Sequence, residues 1–123
     1  MPASIASPTS ITVAVMCAAW CRTCTEFETA FAALAAQRPQ MRFVWIDIED
    51  DSDLCGDLDI EDFPTLAVFR GSDPLHFGAS LPLRDVVGRL LDELATRPAD
   101  ASAEWPDALR ALAVALRTPA QHD

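Results

Sequence analysis

The chain has 123 residues, a formal net charge of −10 at pH 7, and half of its residues are apolar. That is one domain with enough apolar material for an ordinary core, so its four cysteines are not needed as a secreted disulfide framework. The negative charge argues against nucleic acid and against anionic membrane surfaces as partners.

Residues 1–10 carry no Lys or Arg and so lack the charged start of a signal peptide. The apolar run over 11–20 is too short to span a bilayer as a helix. The expected compartment is therefore a reducing cytoplasm. The acid is unevenly spread: nine carboxylates lie between Asp47 and Asp62, with no basic residue among them. Such a run reads first as a solubilising face, and more sharply as a rim that selects partners by sign.

In chain order, residues 11–17 are apolar, with Val13, Val15 and Met16, and predict a strand covered on both faces. Cys24, Phe27, Phe31 and Leu34 then recur at helical spacing, predicting an amphipathic helix over 21–37 that ends before Pro39. Residues 41–47 (Met-Arg-Phe-Val-Trp-Ile-Asp) form the next strand. Strand, helix, strand implies a right-handed crossover and a parallel pair.

The acidic stretch has room for a short helix over 51–58. Residues 65–70 read as a strand, Gly71-Ser72-Asp73 as a turn, and 74–78 as a short antiparallel partner. Leu83, Val86, Val87, Leu90, Leu91 and Leu94 predict a helix ending near Arg97-Pro98. A polar break over 99–103 precedes a last helix, 102–117, whose stripe is Trp105, Leu109, Leu112 and Leu116.

The chemistry is carried by Trp20-Cys21-Arg22-Thr23-Cys24, with Phe63-Pro64-Thr65 about forty residues later. Cysteines three apart at the start of a helix sit where unpaired N–H groups and the helix dipole stabilise a thiolate, the attacking species in disulfide exchange. Beside a strand–helix–strand pattern, this motif resembles the thioredoxin family. The resemblance covers residues 11–94. The two motifs at this separation are specific together, and either alone would be weak.

The resemblance implies an α/β, thioredoxin-like fold: a mixed sheet of about four strands flanked by helices. The domain would cover 1–98, with 99–123 a C-terminal helical extension packed on it. By position, Cys21 would be the exposed nucleophile, Cys24 the buried resolving thiol, and the two would form the redox-active disulfide. Trp20 would pack beside them. Pro64 would be the family's cis-proline, leaving the backbone of Phe63 to pair with an extended client segment.

Three departures from the family pattern follow. The buried Asp six residues before the nucleophile is Val15 here, and its Lys companion aligns with Trp45. Apolar replacement of both members of a buried charged pair is coherent, because one unpaired buried charge is costly. Loss of the Asp should slow release of the mixed disulfide, with Glu28 as a weak substitute. Arg22-Thr23 replaces the usual Gly-Pro, and a guanidinium beside Cys21 would favour its thiolate. The ends differ too. About ten residues cannot supply the family's first strand and helix, so the last helix is expected to cover the sheet face that helix would occupy.

Zinc is not expected, since the single Cys-x-x-Cys has no second close ligand pair. Cys17 and Cys55 read as small buried residues, and His76 and His122 as unspecialised. The function expected is thiol–disulfide exchange with protein clients through Cys21 and Cys24, by a monomer. It would need no cofactor beyond the cysteine pair, and a separate reductase would supply electrons. The alternative is a redox-poor binding module or assembly chaperone that uses the acidic rim and the last helix.

Overall fold

The structure, a computed structural model, describes residues 10–58, 60–98 and 103–116. Its elements run β1 (Ile11–Cys17), α1 (Arg22–Gln37), β2 (Arg42–Asp47), α2 (Ser52–Cys55), β3 (Thr65–Arg70), β4 (Asp73–Ala79), α3 (Arg84–Ala95) and α4 (Asp107–Leu116). They build one four-stranded sheet in the order β2-β1-β3-β4. β1 pairs with β2 in parallel and with β3 antiparallel, and β3 pairs antiparallel with β4.

Because β1 is internal and buried along its whole length, its alternating side chains feed two separate cores. Ile11, Val13, Val15 and Cys17 face one layer, filled by Cys24, Phe27 and Leu34 of α1 and Val87, Leu91 and Leu94 of α3. Ala14 and Met16 face the other, with Ile46, Ala67 and Phe69, under Leu109, Leu112, Ala113 and Leu116 of α4. The sheet is thus covered by helices on both faces, as expected, and α4 supplies the second cover.

Arginines tie these layers at helix ends. Arg38, just past α1, donates from Nε and Nη2 to the two carboxylate oxygens of Asp92 at 3.0 Å each, and from Nη2 to the Gly88 carbonyl at 3.3 Å. A Cβ at Gly88 would lie 3.0 Å from that guanidinium, so a larger residue there would press on the Arg38 side chain. Arg70 Nη2 reaches the carbonyls of Ala95 and Arg97 at 3.1 and 2.9 Å, satisfying acceptors that the end of α3 leaves free. Arg42 similarly donates to the carbonyl of Leu116 at the end of α4.

Two helices are shorter than expected. α2 has four residues because Gly56 leaves the helix at φ 54°; just before it, Asp47 Oδ1 accepts the N–H groups of Glu49 and Asp50 at 2.8 and 3.0 Å and shapes the loop that leads in. α4 begins after Pro106, whose ring biases Trp105 away from helical backbone. Residues 99–102 of the expected break over 99–103, the carboxylate Asp59, the ends of the chain and His122 lie outside the described residues.

Two predictions follow from the packing. Leu112→Ala should lower stability by about 2–5 kcal/mol, read from the urea midpoint. Removing residues 99–123 should lower the melting temperature and create dye-binding surface, and an unchanged melting curve would show that α4 does not hold the second face.

His76 on β4 has a buried Nε2 with no hydrogen-bond partner, and burial, then the nearby Arg97 charge, hold its pKa below the ordinary 6.5. The unfolded chain therefore takes the proton first. Stability is complete above pH 6.5 and falls as pH drops toward the lower folded value. His76→Leu should flatten the fall in melting temperature between about pH 7.5 and 5.5.

Candidate active site

The Trp-Cys-Arg-Thr-Cys segment forms the junction from β1 to α1. A turn closes when the Cys21 N–H donates to the Ala18 carbonyl at 3.0 Å, and Cys21 then takes extended backbone as the residue capping α1. No side chain caps that end, and no acidic residue lies in the first turn. The N–H groups of the turn after Cys21 thus remain available to negative charge. Cys21 is half-buried and free, and its carbonyl accepts the Thr25 N–H at 3.1 Å and hydroxyl at 3.3 Å.

Trp20 is 67% exposed and sets its ring edge-to-face against Phe63, with centroids 5.6 Å apart. This contact joins the cysteine loop to the loop before β3, where the Phe63–Pro64 peptide is cis and Pro64 is buried. The Pro64 carbonyl accepts the Ser80 N–H at 3.0 Å, which places exposed Leu81 just beyond the same loop. Glu61 and Asp62, exposed immediately before Phe63, put the end of the acidic run at this edge.

The expected bond between Cys21 and Cys24 is not the one this structure holds. Cys24 is joined to Cys17, with their Cα atoms 5.8 Å apart, an ordinary span for a disulfide. Both residues are 1% exposed. The reading of Cys17 as a small buried residue holds for its burial, but its sulfur is bonded to Cys24. The cause is strand parity: Cys17 shares the face of Val13 and Val15, and α1 lays its buried residue Cys24 on that face. Counting alternate residues back from Cys17 puts it on the face of Val13 and Val15, but both faces of β1 are buried, so parity alone does not say which of them α1 covers.

Other expected residues sit as follows. Val15 and Trp45 are direct partners across the β1–β2 ladder, so both positions of the family's buried charged pair are apolar and adjacent. Trp45 packs on Phe31 at 5.2 Å between ring centroids. Glu28 is exposed on α1 and does not enter this interior. The Arg22 guanidinium is also exposed and has its charged neighbour in Glu26, at 3.8 Å. Cys55 is buried, and its thiol is pushed up by burial and by the carboxylates of Asp51 and Asp47. Asp47 itself is held below the usual carboxylate range by the N–H groups of Asp50 and Glu49.

These placements predict an order of thiol reactivity. At about pH 8 a maleimide should label Cys21 well before Cys55 in the native protein. Asp51→Asn should narrow that gap by speeding Cys55, as read by mass spectrometry of timed quenches.

A sequence model of the Thioredoxin family matches residues 2–86. A thioredoxin from Ophiophagus hannah is 25% identical over 59 residues, which cover 48% of this chain and 56% of that protein. The matched region thus spans little more than half the length of that relative. Among solved structures, a mutant thioredoxin from Halobacterium salinarum NRC-1 superposes with a TM-score of 0.65 at 21% identity, over 77% of this chain and 83% of that one. The thioredoxin NaTrxh from Nicotiana alata gives 0.64 at 20% identity, over 73% and 77%. Both structural likenesses concern the fold.

Proposed function

This chain belongs to the thioredoxin family, and we propose that it exchanges disulfides with protein clients through Cys21 and Cys24. The observation that carries the reading is the free, half-buried Cys21 at the uncapped start of α1, one turn before the buried Cys24. The Cys21 thiolate attacks a client sulfur, and a mixed disulfide forms as the client's other sulfur leaves. With the Cys17–Cys24 bond first opened to two thiols by the reductase, Cys24 loses its proton and attacks the Cys21 sulfur; the Cys21–Cys24 bond forms, the mixed disulfide breaks, and the client leaves as a thiolate, reduced.

The client would lie against Trp20, Phe63 and Leu81, apolar groups that surround the Pro64 loop on the accessible side. Arg22, beside Cys21 in sequence, supplies positive charge at the rim, while Glu61 and Asp62 oppose anionic clients. The cycle uses no cofactor beyond the cysteines. Its electrons come from a separate reductase, and the reading places the protein in the cytoplasm as a monomer. With Val15 and Trp45 in place of a buried carboxylate and its cation, no side chain takes the resolving thiol's proton from the β1–β2 ladder. The second step is therefore the slow one.

A client-holding module is the second reading. One observation favours it: with Cys24 bonded to Cys17, Cys21 has no resolving partner in this state.

Dithiothreitol-driven insulin reduction decides between them. The wild type should turn over, Cys21→Ser should abolish activity, and Cys24→Ser should accumulate a mixed disulfide on Cys21. Removing a positioned proton acceptor costs about 10²–10⁴-fold in other enzymes, so a rate at least tenfold below one with an acidic residue at position 15 is expected. A wild type with no turnover would support the binder.

A further inference from the structure

Four cysteines are present, and exchange as proposed above uses two. Cys55 lies on α2 in the core under α4, on the opposite side of the sheet from Cys21 and Cys24. Cys17 lies on their side and is already bonded to one of them. We propose that Cys17 is a third member of the redox centre. It takes the disulfide from Cys21–Cys24 and stores it as the buried Cys17–Cys24 bond, returning Cys21 to a free thiol. This rests on the reading of Cys21 as the nucleophile.

The step balances without another reactant. After a client has been reduced, the protein holds Cys21–S–S–Cys24 and a Cys17 thiol. The Cys17 thiolate attacks the Cys24 sulfur, the Cys17–Cys24 bond forms, the Cys21–Cys24 bond breaks, and Cys21 leaves as thiolate. The proton lost by Cys17 is matched by the one Cys21 can accept. No electrons are gained or lost, because one disulfide and one thiol stand on each side. Run backwards, attack of Cys21 on Cys24 returns the disulfide to the accessible side for a reductase.

The placement favours this direction of storage. Cys24 is the shared atom in both bonds, so only its partner changes. Cys17 ends β1, the internal strand, and its carbonyl accepts the Ile48 N–H at 2.9 Å, which holds it in register under α1. Cys17 and Cys24 are each 1% exposed, whereas Cys21 is half-buried. A disulfide stored between the first two is shielded from outside thiols, while one that includes Cys21 is open to them. The oxidised protein would thus resist reduction until Cys21 reopens the bond.

The test needs no client. Cys21→Ser/Cys55→Ser keeps only Cys17 and Cys24. After mild oxidation, denaturation and maleimide labelling, its intact mass should show no labelled thiol, and two after reduction. Two labelled thiols after oxidation, or only intermolecular dimers, would overturn the proposal.

If that variant does not melt cooperatively, the wild type answers the same question. Trp20 and Arg22 flank Cys21, so chymotrypsin and trypsin together separate Cys17, Cys21 and Cys24 onto different fragments. Oxidised, maleimide-blocked wild type should yield a labelled Cys21 fragment and a Cys17–Cys24 cross-linked pair. A Cys21–Cys24 pair with labelled Cys17 would sink the relay.

Cys17→Ala should speed reduction of the oxidised protein by glutathione about tenfold or more, if at most about a tenth of the wild type holds the accessible bond. An unchanged rate would count against storage. These readouts are independent of insulin turnover, so the relay can fail while exchange stands, and a failure of exchange is seen separately in the insulin assay.

Discussion

β1 is hydrogen-bonded along both edges and packed on both faces, and that confinement governs the site. A one-residue slip would move Val13, Val15 and Cys17 out of one core and Ala14 and Met16 out of the other. The strand therefore has a single usable register, and its last residue is held to a fixed position beneath α1. The turn from Ala18 to Cys21 then starts a helix whose first inward residue is Cys24. Three sulfurs are gathered by backbone pairing and parity, with no charged group needed to assemble them.

The interior around them is apolar. At the two positions where the resemblance implied a buried carboxylate and a cation, Val15 and Trp45 meet across the ladder, and Trp45 packs edge-to-face on Phe31, which packs in turn on Phe43. A buried ion pair contributes little net stability, because desolvation offsets its attraction. Its replacement by packed apolar groups therefore leaves the fold intact. What changes is proton transfer, which needs an acceptor within reach of the sulfur. Stability and rate thus separate at this pair of positions.

On the opposite face, α4 closes a core that β1, β2 and β3 leave open to it, and Arg42 ties its final carbonyl back to the edge strand. The acidic run is structured by its own backbone contacts. Asp47 accepts two N–H groups and Asp51 accepts the Asp47 N–H at 3.0 Å, so part of this charge shapes the β2–α2 loop as well as solvating it. The Trp20–Phe63 contact joins the end of that run, at Glu61 and Asp62, to the cysteine loop.

Periodicity alone located the strands to within a residue and the long helices to within a turn at their ends, because burial of one face imprints its period on the chain. The Cys-x-x-Cys and Phe-Pro-Thr motifs marked the site for the same local reason. The other two helices were expected but run shorter, since α2 is ended by a left-handed Gly56 and α4 is delayed by Pro106. The partner of Cys24 escaped for a different reason. Spacing along the chain favours the nearer cysteine, but a disulfide forms between sulfurs that meet in space. Only the laying of α1 across the Cys17 face of β1 decided which two those are.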